Sequence, residues 1–161
     1  MSQDKKRKRR RLGRRWARFG EGAKNAAEWL REGRLGGPYR AESEEVLVHQ
    51  DFTLRRYLFG PTNAPQTGPA LLLVPPLMVT AEVYDISPEL SAVAFLLAQG
   101  FDVWVTDYGR PELTEGGMDR TLDAHVLAVD HSITEIVSKT ARKVHLIGYS
   151  QGGMFAYQAA A

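Results

Sequence analysis

A serine between two glycines is the residue in this sequence whose surroundings best fit nucleophilic chemistry. Residues 148–152 read Gly-Tyr-Ser-Gln-Gly, a G-x-S-x-G pattern that directly follows an apolar run and directly precedes a helical one. A sharp strand-to-helix turn needs small flanking residues, which Gly148 and Gly152 supply. We predict that Ser150 is a nucleophile raised above the carboxyl edge of a sheet, where it attacks a carbonyl carbon. The alternative is a serine in a glycine-rich turn without a chemical role.

Attack by a serine on a carbonyl creates an oxyanion, which needs hydrogen-bond donors worth about 2.7–4 kcal/mol each. The backbone N–H of Gln151, directly after the serine, is one candidate. The second is expected in the loop after the first parallel strand, where Pro75 and Pro76 have no N–H. Leu77 is therefore the predicted second donor, with Met78 next; the alternative role of this loop is only to end the strand.

A serine of this kind needs a histidine base and a carboxylate, in the chain order Ser, Asp or Glu, His. Eleven residues follow Ser150, and none of them is acidic or histidine. All four histidines precede Ser150, and none is predicted to be the base; His145, inside an apolar run, is interpreted as a core residue. We expect the acid and base of the triad to lie outside this chain, and the 161-residue chain alone to be inactive.

The elements that position Ser150 follow from the apolar patterning. Residues 46–49 and 52–59 are predicted to form an antiparallel pair, and the short apolar runs at 70–74, 101–106 and 144–147 to form buried parallel strands. Helices are predicted from an N-cap at Ser87-Pro88 to Gly100, over 122–136, and from Met154. Strands alternating with helices indicate an α/β fold with a mostly parallel sheet and antiparallel N-terminal strands.

Composition is typical of a folded domain, with 43% hydrophobic and 25% charged residues. The absence of cysteine excludes disulfides, thiolate metal sites and a cysteine nucleophile. No apolar run has the length of a membrane span or follows the basic start as in a secretory signal. We therefore predict a cytoplasmic protein, with neither a metal nor another cofactor.

Charge divides the sequence into two predicted parts, residues 1–40 and 41–161. The first carries 14 Lys and Arg against 4 Asp and Glu, a net charge of +10, and the second a net charge of −8. Residues 5–11 are all basic and are predicted to be disordered, followed by an amphipathic helix. The apolar stripe of that helix comprises Leu12, Trp16, Phe19, Ala23, Ala26 and Leu30.

This basic leader suits an anionic membrane or the surface of a lipid particle, at which the protein would be peripheral. The alternative is a solvated tail with a short helix packed on the body. No nucleic-acid recognition module accompanies the charge, so specific nucleic-acid binding is not predicted.

Several stretches resemble one known family. They are Leu-Leu-Leu-Val-Pro-Pro at 71–76, Tyr-Asp-Ile-Ser-Pro at 84–88, Gly-Phe-Asp-Val-Trp-Val-Thr-Asp-Tyr at 100–108, and Arg110-Pro111. Together they resemble the polyhydroxyalkanoate synthase and depolymerase branch of the α/β hydrolases over roughly residues 69–161. The resemblance implies an α/β-hydrolase fold, truncated here after the nucleophile turn. The synthases carry a cysteine in that turn, whereas this chain carries Ser150, which favours hydrolysis over polymerisation.

The function expected from the residues and the resemblance is hydrolysis of a carboxylic ester through an acyl-serine intermediate. The substrate would be a small acyl ester or thioester, or a polyester-like molecule. Three alternatives remain open: an acyltransferase of the polyhydroxyalkanoate synthase type, the hydrolase domain of a longer acyl-activating fusion, and a non-catalytic truncated module that binds a lipid surface.

Overall fold

Three apolar runs form parallel strands at the centre of the protein. The computed structural model describes Ala27 and residues 41–77, 79–87 and 89–161. The parallel strands are β3 (Ala70–Val74), β6 (Asp102–Asp107) and β7 (Val144–Gly148). In the order of the sheet, β3 lies between β6 and β7. The three predicted parallel strands are therefore confirmed, and β3 and β6 are buried as predicted. The prediction that the third strand is buried is wrong, because β7 lies at the edge of the sheet and is partly exposed.

An antiparallel pair extends this sheet at one side, as the sequence predicts. Strands β1 (Ser43–Val48) and β2 (Thr53–Tyr57) pair with each other, and β2 pairs antiparallel with β6. The five-stranded order is β1-β2-β6-β3-β7. A mixed sheet of the α/β class is the result.

The central strands β3 and β6 are covered on both faces, toward which their alternate side chains point. On one face, Leu72, Val74 and Trp104 pack against the helices α2 (Leu122–Thr140) and α3 (Gln151–Ala160). On the other, Leu73, Val103 and Val105 pack against α1 (Ala92–Ala98) and the 3₁₀ turn Ala81–Tyr84.

The predicted helix start at Ser87 is wrong. Residues 85–91 instead form a small antiparallel pair, β4 (Asp85–Ser87) and β5 (Leu90–Ser91). The Oγ atom of Ser87 accepts the N–H of Leu90 within this turn, at 3.2 Å. The helix cap is Ser91, whose Oγ accepts the N–H of Ala94 at 2.8 Å. Pro88 lies outside the described residues.

A buried carboxylate explains why this hairpin forms. Oδ1 of Asp85 accepts the hydroxyl of Ser91 at 2.5 Å, and Oδ2 accepts the N–H of Ala41 at 2.5 Å. Asp85 is only 2% exposed, so these bonds replace the water that the carboxylate loses. They fix Ser91, rather than Ser87, as the residue that starts the helix.

The last helix also starts earlier than predicted, at Gln151 rather than Met154. Its second and third residues are glycines, which have low helix propensity and weaken the sequence signal. The helix α2 is confirmed and extends four residues beyond the predicted 136 to Thr140. Its cap is Thr121, whose side chain accepts the N–H of Ala124.

A charged cluster ties the elements together at the amino edge of the parallel strands, opposite the end that carries Ser150. Asp102 is fully buried and accepts two hydrogen bonds from Arg56, at 2.8 and 2.9 Å, and one from Arg142 at 2.5 Å. Arg142 also donates to the carbonyl of Gly68, and the guanidinium of Arg56 lies 4.7 Å from the ring centroid of Trp104. We call these residues the Asp102 cluster.

Strand β7 forms one edge of the sheet. Among the described residues it pairs only with β3. An open groove of about 690 Å³ runs beside it, lined by side chains of β7 and α3 that include Leu146 and Tyr157. The described residues between 41 and 161 form one compact unit.

The predicted leader falls on residues 1–40, which lie outside the described part of the chain except for Ala27, so the leader stays a prediction. The helices that the structure does describe fall short of the length and apolar character required to cross a bilayer.

Candidate active site

Ser150 lies in a tight turn between β7 and α3, at the carboxyl edge of the sheet. Its backbone angles are φ 54° and ψ −123°, a conformation that L-residues rarely adopt. Holding a serine there costs on the order of 1–3 kcal/mol, which the surrounding structure must offset. The side chain is exposed, and within the described residues its hydroxyl makes no cap hydrogen bond to the helix. The hydroxyl is therefore open to solvent rather than engaged by the start of the helix.

At both glycines of the motif, a side chain would collide with neighbouring backbone atoms. A Cβ on Gly148 would lie 2.4 Å from the backbone of Gly153, and one on Gly152 would lie 2.0 Å from the carbonyl oxygen of Val74. Real Cβ atoms do not approach backbone atoms so closely. Gly153 differs, because a Cβ there would lie 3.5 Å from its nearest neighbour, an ordinary contact. The close approach of strand and helix thus depends on positions 148 and 152.

The two amides predicted to hold an oxyanion lie on segments that meet at the same edge. Gln151 is the first residue of α3, where the N–H groups of a helix have no partner within the helix. The helix N-terminus also favours negative charge. Leu77 is half-buried in the turn after Pro75 and Pro76 and packs against the core beneath α3. Met78 lies outside the described residues, and the role of both amides stays a prediction.

The carbonyl of Val74, the last residue of β3, joins the strand to the turn at Ser150. Its oxygen accepts the N–H of Tyr149 at 3.1 Å and the phenol hydroxyl of Tyr84 at 2.7 Å. It is also the atom against which Gly152 packs. We call this set, Val74 with Tyr84, Tyr149 and Gly152, the Val74 junction.

Tyr84 belongs to the site although the sequence analysis assigned it no chemistry. Its hydroxyl also lies 3.4 Å from the carbonyl oxygen of Ile147 in β7. Burial raises the pKa of this phenol to about 12, although the nearby backbone N–H of Tyr149 lowers it in part. Tyr84 therefore keeps its proton and remains a donor at neutral pH. In the sequence, Tyr84 is marked only by its place in the Tyr-Asp-Ile-Ser-Pro stretch. That stretch resembles the family but does not indicate a chemical role for the phenol.

None of the four histidines contacts Ser150 among the described residues. His49 follows β1, which is four strand spacings from β7, about 19 Å. His125 is buried, donates from Nδ1 to the carbonyl of Thr121 at 2.7 Å and stacks on Phe155. His145 is exposed on the edge strand, so its interpretation as a core residue is wrong. It is exposed because nothing in the described residues covers that side of β7.

Asp107, at the end of β6, organises the loop that follows. Its Oδ1 accepts the N–H of Gly109 at 3.0 Å, and its Oδ2 accepts Nε of Arg55 at 3.2 Å. This pair lines a cavity of about 300 Å³ at the same edge of the sheet, together with Tyr57 and Arg110. Ser150 does not line this cavity. Within the described residues, no group of three or more His, Asp and Glu is placed to hold a metal ion.

Comparison with known proteins yields three similar polymerase subunits. A poly(3-hydroxyalkanoate) polymerase subunit PhaC from Haloferax mediterranei is 28% identical over 141 residues, 86% of this chain and 27% of its own length. PhaC subunits from Thiocystis violacea and Allochromatium vinosum are each 31% identical, over 114 and 117 residues. Those two matches cover 70% of this chain and 31% and 32% of the relatives.

The chain resembles the polyhydroxyalkanoate synthase branch of the α/β hydrolases. It spans about a third or less of the length of these relatives. No protein-family model matches it. The similarity agrees with the resemblance seen in the sequence.

Proposed function

We propose that Ser150 forms a covalent acyl-serine intermediate in an acyl transfer of the polyhydroxyalkanoate synthase type, with a hydroxyacyl thioester as donor. The observation that carries this proposal is the strained backbone of an exposed serine between β7 and α3. Strain of this kind persists where the surroundings enforce it and is concentrated at functional sites. The similarity to three polymerase subunits supports the class of donor.

The proposed reaction has two steps. In the first, Oγ of Ser150 bonds to the thioester carbonyl carbon, the C–S bond breaks, and the serine proton leaves with the thiol through a general base. In the second, the hydroxyl of another hydroxyacyl group attacks the acyl-serine and returns its proton to Oγ. The amides of Gln151 and Leu77 would hold the oxyanion in both steps. No described residue is proposed as the general base or as its carboxylate partner.

We further propose that the sheet is the amino-terminal part of an α/β-hydrolase fold. The support is the antiparallel start, the strand order β1-β2-β6-β3-β7, and a nucleophile turn after β7. The limited share of each relative that this chain covers is consistent with a fold completed by further sequence.

Ester hydrolysis is the second candidate, and the identity of the nucleophile favours it. This chain has no cysteine, so the residue in the turn is an oxygen nucleophile where the synthases it resembles have sulfur. In that case water, rather than a hydroxyl group of substrate, attacks the acyl-serine and releases a free acid.

A fluorophosphonate probe tests the nucleophile in the intact protein that carries this chain. We expect labelling of the wild type and background labelling of Ser150→Ala, because the probe reacts with an activated serine hydroxyl. Ser138→Ala is the matched control, since Ser138 is an exposed serine on α2 whose hydroxyl donates only to the carbonyl of Glu135. Equal labelling of wild type and Ser150→Ala would remove the assignment.

The products from a 3-hydroxyacyl thioester decide between the two candidates. Oligomer bound to protein or released as polyester supports acyl transfer, whereas stoichiometric free hydroxy acid supports hydrolysis. Thiol release that is equally fast in Ser150→Ala would contradict both.

A further inference from the structure

We propose that Tyr84 is a positioning residue of this site: its hydroxyl orients the Val74 carbonyl and thereby places the Leu77 amide relative to Ser150. The inference rests on the proposed function, because it concerns how the oxyanion is held. It assigns a task to a side chain that would not touch the substrate.

Both lone pairs of the Val74 carbonyl oxygen accept hydrogen bonds. A carbonyl oxygen has two lone pairs. One accepts the N–H of Tyr149, which belongs to the nucleophile turn, and the other accepts the hydroxyl of Tyr84 at 2.7 Å. Tyr84 is 8% exposed, so water has little access to replace it.

This oxygen also fixes the direction of the chain that follows Val74. The carbonyl of Val74 lies in the plane of the peptide bond to Pro75, because peptide bonds are planar. Pro75 and Pro76 then have φ locked near −65° by their rings. Few rotations therefore remain between the Val74 oxygen and the first free amide, that of Leu77.

The same oxygen is fixed relative to Ser150. Gly152, in the first turn of α3, packs so closely on it that a Cβ would lie at 2.0 Å. A rotation of the Val74 peptide plane would press on this turn or would move the loop away from it. The hydroxyl of Tyr84 opposes that rotation from the side of the 3₁₀ turn Ala81–Tyr84.

The segment that carries Tyr84 is itself anchored. Asp85, the next residue, bonds to Ser91 and to the backbone of Ala41. The ring of Tyr84 packs in the core cluster that contains Val93 and Leu97 of α1. The hydroxyl is thus also held by contacts outside the segment 75–77 that it positions.

The test is Tyr84→Phe in the intact protein, which removes the hydroxyl and keeps the ring. We expect kcat to fall about tenfold with KM within about twofold, because the oxyanion forms only after binding. A trifluoromethyl ketone that adds to Ser150 as a hemiketal should lose affinity by the same factor. A p-aminophenylalanine at position 84, which keeps a hydrogen donor, should restore both.

Tyr108→Phe is the matched control for loss of a buried tyrosine hydroxyl. Tyr108 is 4% exposed and donates to the carbonyl of His125, which is not part of the Val74 junction. We expect it to change stability while kcat and inhibitor affinity stay within about twofold.

Wild-type kcat and inhibitor affinity in Tyr84→Phe would overturn the inference, as would an equal loss in Tyr108→Phe. If Tyr84→Phe does not fold, the p-aminophenylalanine variant decides, since a loss of inhibitor affinity there contradicts the positioning role. Failure of the proposed function is separate, because it appears as full activity in Ser150→Ala.

Discussion

Gly148, Gly152 and Gly153 lie close to Ser150 in the sequence. The space available for a side chain differs among these three glycines. A side chain at Gly152 would meet the backbone oxygen of Val74, which cannot move without disturbing β3. A side chain at Gly153 would meet only ordinary contacts. The motif therefore constrains its second glycine, whereas the glycine that follows is free to vary on steric grounds.

We expect Gly152→Ala to lower the free energy of unfolding by about 2 kcal/mol through overpacking. It should also slow labelling of Ser150 by the fluorophosphonate, because the strand and the helix must separate. Gly153→Ala is the control, expected to leave the labelling rate unchanged and stability equal or higher, since alanine favours helix more than glycine. Urea unfolding and labelling kinetics measure both. Similar behaviour of the two variants would contradict the steric argument.

At the scale of single residues, local motifs could be predicted and tertiary contacts could not. Ser150 and its glycines were found because their spacing is local in sequence. Tyr84 was missed because its partners, Val74 and Ile147, are 10 and 63 residues away. Ser91 was missed as a helix cap for a similar reason: its selection over Ser87 depends on a bond to Asp85.

At the scale of elements, the Asp102 cluster holds the end of the sheet opposite Ser150. It links β2, β6, the segment before β3 and the segment before β7 through one buried carboxylate. A buried charge is tolerated only when it is paired. The stability of this end of the sheet therefore depends on the pairing of Asp102 with its two arginine partners.

We expect Asp102→Asn to lower the free energy of unfolding by about 3 kcal/mol, because it leaves the charges of Arg56 and Arg142 without their buried partner. Asp130→Asn, at an exposed position on α2, is the control and should change stability by less than about 0.5 kcal/mol. Denaturant unfolding measures the difference. In the folded fraction of either variant, labelling of Ser150 should match the wild type. A slower reaction in Asp102→Asn would mean that the two ends of the sheet are coupled.

The strands and long helices could be predicted because their apolar periodicity is strong. The hairpin at residues 85–91 could not, since it is short and its stability comes from the buried Asp85 rather than from strand propensity. The start of α3 was placed three residues late because its glycines hide the helix signal.

At the scale of the whole molecule, opposite charge is concentrated in the two parts of the sequence. Residues 1–40 carry a net charge of +10 and residues 41–161 a net charge of −8. We propose that the basic leader binds anionic lipid surfaces, where each basic residue near the surface contributes about 1 kcal/mol. The acidic remainder would be repelled from such a surface.

We expect the intact protein to co-sediment with vesicles containing phosphatidylserine and not with pure phosphatidylcholine vesicles. Replacing the basic residues at 5–11 with glutamine, while Trp16 and Phe19 are retained, should abolish most of the binding at physiological salt. Binding that is independent of anionic lipid would exclude the electrostatic proposal. Loss of binding only when Trp16 and Phe19 are replaced would show that insertion of aromatic residues dominates.

The class of the whole fold could be predicted, but the order of its strands could not. Periodicity reveals which side of a strand is buried, whereas the choice of neighbour depends on contacts such as those of β3 with both β6 and β7. The alternation of helices and strands therefore predicts an α/β fold but not the order of the strands in its sheet.

The Val74 junction has a consequence for how such a protein can change over generations. Its central atom is a main-chain oxygen, so no single amino-acid replacement can delete it. Mutations can change only the groups that contact this oxygen, above all the phenol of Tyr84 and the Cα of Gly152, which carries no side chain. Natural selection would therefore act on these two positions together, and a change at one would be tolerated or rejected according to the residue at the other.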